Sequence, residues 1–133
     1  MSVQSKWYDE AQTIIRYTFE DQWTWDDYNA ALNHCRALLD TVNYPVDLIY
    51  DFNHAPTPPR NLVTRFWQVS MTRHQNISGL IVVLGSSKLM QMLTSAVGGL
   101  ISRSSFTYDV SYLNCPTRLD EHLTNRRVIH RAF

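Results

Sequence analysis

Apolar and polar positions recur with two different periods, which divide the chain into predicted strands and helices. Positions 13–19 are rich in β-branched and aromatic residues, which predicts a strand, and positions 3–8 predict a weaker strand joined to it by a turn. Positions 46–51 and 106–110 predict two further short strands. Every residue at positions 80–84 is apolar, which is typical of a strand covered on both faces in a parallel sheet.

Helical periodicity separates these strands. Thr24 opens a Thr-x-x-Asp sequence that resembles a capping box, and apolar residues then recur at i, i+3, i+4 and i+7 as far as Val42. The second predicted helix begins near Pro59, because proline is favoured in a first helical turn, and it runs to about His74.

The third and fourth predicted helices also follow capping residues. Gly85, Ser86 and Ser87 offer N-caps for the third helix. Thr117 begins a second Thr-x-x-Asp sequence, which predicts the start of the fourth helix. The predicted core stripe of the third helix comprises Leu89, Met92, Leu93, Ala96, Val97 and Leu100.

The alternation of strands and helices predicts one α/β domain over residues 1–133. Strands that alternate with helices are typical of right-handed crossovers between parallel strands. We therefore expect a mostly parallel sheet of four to five strands, with an antiparallel hairpin at one edge and four helices.

Length and composition agree with a single globular domain. The chain has 133 residues, of which 44% are apolar, and its four glycines and five prolines are too few for a disordered or collagen-like protein. Its longest apolar run is far shorter than the roughly 20 residues that a membrane-spanning helix needs. The N-terminus lacks the apolar core of a secretory signal, so we expect a soluble, cytoplasmic protein without a transmembrane segment.

The net charge of zero conceals two halves of opposite charge. Residues 1–53 carry nine acidic and three basic side chains, whereas residues 54–133 carry nine basic and three acidic ones. Ten of the twelve bases are arginines, whose planar guanidinium suits carboxylate and phosphate groups. The basic half is thus a candidate anion-binding surface; alternatively, the two halves attract each other within one fold or between subunits. The neutral total and the lack of a dense basic stripe argue against nucleic acid as a partner.

Cysteine and histidine are too scattered to predict a metal or cofactor site. Cys35 and Cys115 lie far apart and outside any Cys-x-x-Cys sequence, which predicts free thiols. The five histidines form no His-x-x-x-His or His-Glu-x-x-His pattern. We therefore expect neither a metal nor a cofactor.

Four segments together carry a family resemblance. They are the Trp-Thr-Trp-Asp-Asp-Tyr sequence at 23–28, the strand at 47–53, the apolar strand that ends before Gly85, and the small terminal strand with its helix. In this order they resemble the SpoIIAA-like family, which is related to the STAS domain and to Sec14-type lipid-binding sheets, over nearly the whole chain. The resemblance implies a non-enzymatic module that binds a protein partner, a small ligand or a lipid.

The loop after the strand at 47–53 departs from the STAS pattern. In proteins of the anti-sigma antagonist type, an Asp-Ser-x-Gly segment in this loop carries a serine or threonine whose phosphorylation switches partner binding. Residues 51–53 resemble the start of that loop, but residues 54–60 replace the Asp-Ser-x-Gly part. Thr57 is the only hydroxyl residue in the replacement and is therefore the candidate regulatory site.

Two helix starts follow neighbouring strands, at the edge where open parallel sheets bind ligands. Helix N-termini offer unpaired N–H groups and a partial positive charge, which suit a phosphate or carboxylate. The alternative is ordinary helix capping with solvated bases. The candidate anion-binding residues are Asn53, His54, Arg60 and Asn61 before the second helix, and Ser86, Ser87 and Lys88 before the third.

A minor hydrolase is a further alternative. His54 follows Asp51 closely, and the predicted fold brings Ser86 to the same edge, but no Gly-x-Ser-x-Gly sequence holds a nucleophile. A hydrogen bond of about 3 Å between Ser86 and His54 is required for this function.

Aromatic and methionine side chains exceed what one face of each helix buries, which predicts self-association. Such residues are enriched at association surfaces, so we expect a homodimer or another protein partner through the second and third helices. In the alternative, the two helices pack side by side and bury these side chains within the chain. The candidate interface residues are Phe66, Trp67, Met71, Met90, Val97 and Ile101.

The sequence therefore predicts a non-catalytic binding or regulatory module of the SpoIIAA-like type that acts through protein association. The alternative is a carrier of a small anionic or lipid-like ligand at the N-termini of the second and third helices. An apolar pocket lined by Phe52, Phe66 and Trp67 would favour the carrier, whereas a closed surface there would favour a protein partner.

Overall fold

A computed structural model describes residues 2–55, 60–70, 73–101 and 108–131. In these ranges the chain forms five strands and four α-helices, with a short 3₁₀ turn at Pro116–Arg118 before the last helix. The elements are β1 Val3–Trp7, β2 Ile14–Glu20, α1 Trp25–Leu39, β3 Val46–His54, α2 Leu62–Ser70, β4 Ile77–Leu84, α3 Lys88–Ile101, β5 Asp109–Leu113 and α4 Leu119–Arg131. This order confirms the predicted α/β fold.

The five strands form one sheet whose spatial order equals the chain order, β1-β2-β3-β4-β5. β1 and β2 are antiparallel, and every later pair is parallel, as the sequence predicted. Residues 79–84 of β4 are all buried, since neighbouring strands flank β4 and helices cover both of its faces. The antiparallel hairpin forms one edge of the sheet and β5 forms the other.

Helices α1, α2 and α3 cover one face of the sheet, and α4 covers part of the other. Ala31, Leu62 and Met90, one from each of the first three helices, share one core with sheet residues. Leu119 and Leu123 of α4 pack in a second core against the opposite face. Each crossover advances one strand in the same direction, so crossovers of one handedness place all three helices on one face.

The start of α1 is the capping box that the sequence predicted. The Asp27 N–H donates to Thr24 Oγ1 at 3.2 Å, and the Thr24 N–H donates to the Asp27 carboxylate at 3.0 Å. Asp26 and Asp27 lie in the first turn, where carboxylates interact favourably with the helix dipole. Local side-chain hydrogen bonds therefore determine where this helix begins.

α2 has nine residues, fewer than predicted. Asn61 has a φ of 64°, in the left-handed region, so the right-handed helix begins after it and not near Pro59. At the other end, Arg73 lies outside the helix and donates two hydrogen bonds to the Ile77 carbonyl. The chain has therefore left the helix before His74.

α3 faces the sheet with a different stripe from the predicted one. Leu89 and Met92, which were expected in the core, are 50% and 68% exposed, and Ala96 is exposed too. Met90 is instead 1% exposed, and Val97 is half-buried as predicted. Apolar residues occur on most sides of α3, so periodicity alone does not select the buried face.

β5 begins later than predicted. The strand was expected at residues 106–110, of which 106–107 lie outside the described residues, whereas the structure places it at Asp109–Leu113. Its register with β4 pairs Leu80 with Asp109 and Leu84 with Leu113. Backbone pairing with a long buried neighbour, and not local composition, therefore positions this strand.

The predicted cap of the last helix is wrong. Thr117 lies inside the 3₁₀ turn, and its hydroxyl lies 3.0 Å from the Cys115 sulfur instead of capping α4. Pro116 begins that turn because a proline in a first turn has no N–H that needs a partner. Cys115 is therefore the N-cap residue of the turn.

Candidate functional site

The two predicted anion-binding segments lie side by side, at the carboxyl ends of the neighbouring strands β3 and β4. The Asn53 N–H donates to the Asp51 carboxylate at 3.0 Å. Ser87 Oγ accepts a hydrogen bond from the Met90 N–H at 3.4 Å, as a helix cap does. The other five candidates are exposed: His54, Arg60, Asn61, Ser86 and Lys88.

The sheet has no reversal of strand order, and this removes the usual ligand crevice of an open parallel sheet. Such a crevice opens where the helices that follow two neighbouring strands go to opposite faces. Here α2 follows β3 and α3 follows β4, and both helices pack on the same face. Besides turn and cap contacts, two carbonyls of these segments accept side-chain hydrogen bonds from other elements: Trp25 Nε1 donates to that of Arg60 at 3.3 Å, and the Tyr112 hydroxyl donates to that of Ser87 at 3.2 Å.

The residues of the hydrolase alternative do not meet. No hydrogen bond joins Ser86 to His54, both of which are described and exposed. Asp51 is buried and forms an ion pair with Arg16 instead. The contact that this function requires is therefore absent between these described residues.

A second serine–histidine pair, which the sequence did not reveal, lies between β5 and α4. Ser111 Oγ lies 2.9 Å from His122 Nε2. Burial lowers the pKa of His122, and the positive charge of Arg126 lowers it further. In the described part of the chain no carboxylate hydrogen-bonds His122, and Asp109 is bound by Arg126. The pair therefore lacks the third group that orients a catalytic histidine.

An apolar cavity lies between the sheet and the three helices α1, α2 and α3. Its volume is about 80 Å³, enough for several water molecules or a small organic group. Strands β2 to β5 and all three helices contribute side chains to its wall. The aromatic part of this wall comprises Tyr17, Tyr50, Phe52, Phe66 and Tyr108.

Ring packing holds this aromatic wall together. The Tyr50 ring lies 4.9 Å from the Tyr17 ring and 5.4 Å from the Phe66 ring, measured between centroids. Phe66 also meets Tyr28 edge-on at 5.3 Å. Aromatic pairs of this kind contribute about 0.5–1.5 kcal/mol each beyond the area they bury. Phe66 therefore packs against rings of its own chain.

The polar groups inside the cavity are uncharged. The interior polar groups include the Tyr17 hydroxyl and the Cys35 thiol, and the Tyr50 hydroxyl lies 3.5 Å from that of Tyr28. Burial raises the pKa of Cys35, and it raises the pKa of Tyr17 and of Tyr50 well above the ordinary tyrosine value. These groups stay protonated at neutral pH, so the interior suits an uncharged part of a ligand.

Three nitrogen-bearing side chains line the cavity and form what we call the polar rim: Arg36, Arg73 and His74. His74 Nε2 lies 2.7 Å from Asp40 Oδ1, and the Asp40 N–H donates to the Arg36 carbonyl one helical turn earlier. His74 Nδ1 accepts the Asn76 N–H at 3.0 Å, so Nε2 carries the ring proton and donates it to Asp40. These contacts hold α1 and the segment before β4 together at the rim.

Arg73 is held in one orientation. Its Nε and Nη2 donate to the Ile77 carbonyl at 3.1 and 2.7 Å. Its guanidinium carbon lies 5.0 Å from the centroid of the Tyr108 ring. Burial raises the pKa of Tyr108, and the positive charge of Arg73 opposes that increase only in part. Tyr108 therefore stays neutral beside a fixed positive charge.

The predicted interface residues on α2 and α3 face inward where the structure describes them. Phe66, Met90 and Val97 line the cavity; Met90 is buried, and Phe66 and Val97 are half-buried. This packing agrees with the alternative in which the two helices bury apolar side chains within the chain, and the interface through these residues stays a prediction. Four further candidates fall outside the described residues or have side chains outside that description: Thr57, Trp67, Met71 and Ile101.

Sequence reasoning missed the polar rim and most of the cavity wall. The wall comes from seven elements, so no local motif joins its residues. The one available signal is the excess of aromatic and methionine residues, which by itself favours an interface as much as a cavity wall.

No protein-family model, curated protein or solved structure shows a significant match to this chain. Within the described residues, no helix combines the length and apolarity that crossing a membrane requires. The same residues contain no group of three or more His, Cys, Asp or Glu side chains placed to hold a metal ion. The cavity and its rim are thus the features from which function is inferred.

Proposed function

We propose that this protein is a non-catalytic binding module of the SpoIIAA-like type, which holds a small and largely apolar molecule in the cavity beneath α1, α2 and α3. The cavity itself carries this proposal, since Phe52 and Phe66, two of the three side chains that the carrier alternative names, line it; the side chain of the third, Trp67, lies outside the description. The ligand then lies inside the helix-covered face and not at the helix N-termini, where the anion site was expected.

The side chains of the cavity wall favour an apolar group over water as the occupant of the cavity. A buried water needs about two to four polar partners, whereas aliphatic and aromatic side chains form most of this wall. Polar atoms inside already have partners within the chain: the Thr94 hydroxyl donates to the Met90 carbonyl at 2.7 Å. An apolar group that enters the cavity leaves water, which contributes about 25 cal/mol for each Å² buried.

Xenon binding tests this proposal, because xenon enters apolar cavities and carries no charge. We expect xenon under pressure to shift the amide signals of cavity residues such as Cys35, Leu48 and Val83 in ¹H–¹⁵N spectra of the full chain. The shifts should saturate with pressure. Spectra that do not respond at these residues contradict the proposal.

Two phenylalanine substitutions on α3 supply matched variants. Val97→Phe fills the cavity from a lining position and should abolish the xenon shifts. Met92→Phe adds the same ring at an exposed position of the same helix and should leave the shifts unchanged. Equal responses in the two variants would mean that xenon binds elsewhere.

The exposed side of α3 favours a second function, which is self-association. We name it the α3 outer stripe and define it as Leu89, Met92 and Ala96, which are exposed and spaced at i, i+3 and i+7. An exposed apolar stripe of this kind is typical of an association surface. We propose that a second copy of the chain covers it, which gives the predicted homodimer through different residues of α3.

A further inference from the structure

We infer that the cavity ligand is a small, uncharged carbonyl compound whose oxygen accepts a hydrogen bond from the Tyr50 hydroxyl. This inference rests on the proposed function. It adds the polar group, the charge and the size of the ligand to it.

The tyrosine pair beside the cavity has one hydroxyl hydrogen more than it uses. The hydroxyls of Tyr28 and Tyr50 lie 3.5 Å apart, and either can donate to the other. Each hydroxyl carries one hydrogen, so this single bond leaves the second hydrogen without an acceptor. Within the described residues, neither hydroxyl has a further hydrogen-bond partner. Each hydroxyl thus has a partner, but the pair still offers one hydrogen to a third molecule.

Burial determines which of the two hydroxyls offers that hydrogen. Tyr28 is fully buried and does not line the cavity, whereas Tyr50 lines it. If Tyr50 donated, the hydrogen of Tyr28 would stay in the core without an acceptor, which costs the desolvation of a polar group. If Tyr28 donates, the hydrogen of Tyr50 is available to a molecule in the cavity. Tyr50 is therefore the donor to the ligand.

The Tyr50 hydroxyl is a fixed donor before any ligand binds. Its ring is held between the rings of Tyr17 and Phe66, at centroid distances of 4.9 and 5.4 Å. Burial raises the pKa of Tyr50 well above the ordinary tyrosine value, so the hydroxyl keeps its hydrogen at neutral pH. A carbonyl oxygen accepts this hydrogen and brings none of its own, whereas a ligand hydroxyl would add another hydrogen that needs an acceptor.

An uncharged ligand fits the surroundings of Tyr50. The sheet register pairs Tyr50 with Tyr17 on β2 and with Val83 on β4, and both neighbours line the cavity with it. A carboxylate beside these side chains would lose its hydration without gaining a counter-ion. Arg36 and Arg73 also line the cavity, but each already has interactions within the chain, such as the hydrogen bonds of Arg73 to a backbone carbonyl. The ligand therefore carries no charge.

The cavity volume limits the ligand to a few heavy atoms. About 80 Å³ is roughly half the volume of a cavity of about 150 Å³ that binds benzene. The cavity therefore accommodates about three to four heavy atoms. Propanone has this size, whereas an aromatic ketone or a long-chain aldehyde exceeds it.

Propanone, 2-methylpropene and acetate form the test series, because they share one planar shape and differ in the carbonyl oxygen or in charge. In ¹H–¹⁵N titrations of the full chain, propanone and 2-methylpropene should shift the signals of Cys35, Leu48 and Val83, and acetate should not. An alkane offers no hydrogen bond to propanone. The affinity of propanone relative to 2-methylpropene should therefore exceed the ratio of their partition from water into alkane by at least about tenfold.

Two tyrosine variants locate the donor. Tyr50→Phe keeps the ring but removes the hydroxyl, and should weaken propanone binding by about tenfold and leave 2-methylpropene binding unchanged. Tyr28→Phe is the matched control, since it makes the same change in the hydroxyl that does not line the cavity. This variant should retain propanone binding. If Tyr50→Phe does not fold, the partition comparison on the wild type decides.

The outcomes separate this inference from the proposed function. Propanone that follows the alkane partition ratio, or an unchanged propanone affinity in Tyr50→Phe, would overturn the inference and leave the cavity proposal to the xenon result. Acetate that shifts the same signals overturns it as well, because an anion then enters the cavity. Propanone binding that survives Val97→Phe also overturns it, because the ketone then binds elsewhere. A wild-type chain that takes up none of xenon, propanone and 2-methylpropene contradicts both.

Discussion

Acidic and basic side chains that lie far apart along the sequence form an ion pair in the folded chain. Asp47 in the acidic half accepts a hydrogen bond from Arg127 in the basic half at 2.5 Å. The charge imbalance is thus partly resolved within one subunit, as one interpretation of the sequence expected. The partners of an ion pair such as Asp47 and Arg127 lie far apart in the sequence, so only the folded structure shows which charges pair.

The His122 side chain makes stability depend on pH. Burial and Arg126 lower its pKa in the folded chain, so the unfolded chain takes up the proton first as the pH falls below about 6.5. Stability is therefore lost as the pH falls from about 7 towards the lowered folded-state pKa. We expect His122→Gln, whose amide still accepts a hydrogen bond from Ser111, to lose less unfolding free energy than the wild type over this range. Urea unfolding at several pH values measures the difference.

His34→Gln is the control for this comparison. His34 is exposed on α1, so its replacement should leave the pH profile of the wild type unchanged. Parallel profiles for His122→Gln and the wild type would show that His122 does not contribute to the acid sensitivity.

At the scale of elements, the same sequence signal predicted one helix start and failed at another. Thr24 and Asp27 form both hydrogen bonds of a capping box. Thr117 begins the same Thr-x-x-Asp pattern, but Pro116 precedes it and starts a 3₁₀ turn. A capping pattern therefore predicts a helix start where no adjacent residue, such as a proline, begins a different turn in the same segment.

Removal of the α1 cap should destabilise the protein by a predictable amount. Thr24→Ala loses the side-chain acceptor for the Asp27 N–H, which costs about 1 kcal/mol of unfolding free energy. Thr64→Ala, at an exposed interior position of α2, is the matched control and should cost nothing, since alanine favours helix. Urea unfolding of both variants measures the two changes, and equal changes would contradict a specific role for the cap.

At the scale of the whole molecule, the consecutive strand order accounts for the position of the cavity. With no reversal in the sheet, α1, α2 and α3 share one face, and a space lined by all three remains beneath them. The same arrangement removes the crevice in which the anion site was expected. α3 then has one face towards the cavity and the other towards solvent, so the α3 outer stripe is exposed.

The α3 outer stripe predicts a dimer that depends on apolar contact. Native mass spectrometry or light scattering should show the dimer for the wild type, and Met92→Glu should shift it to monomer, because a charge would be buried at the contact. Gln91→Glu places the same charge beside the stripe and should retain the dimer. Added salt should leave an apolar contact unchanged or stronger. A wild-type monomer at high protein concentration contradicts the proposal.

The sequence by itself determined the element order, the mostly parallel sheet with its edge hairpin, and the start of α1. These features depend on residues that lie within a few positions of one another or along one strand. Over such short distances, the period of apolar positions and the hydrogen bonds of capping side chains determine the local structure. Tertiary structure alone decided the buried face of α3, the cavity and the polar rim. Arg36 lies on α1 and Arg73 in the segment before β4, and only the packing of three helices on one sheet face brings them to the same cavity.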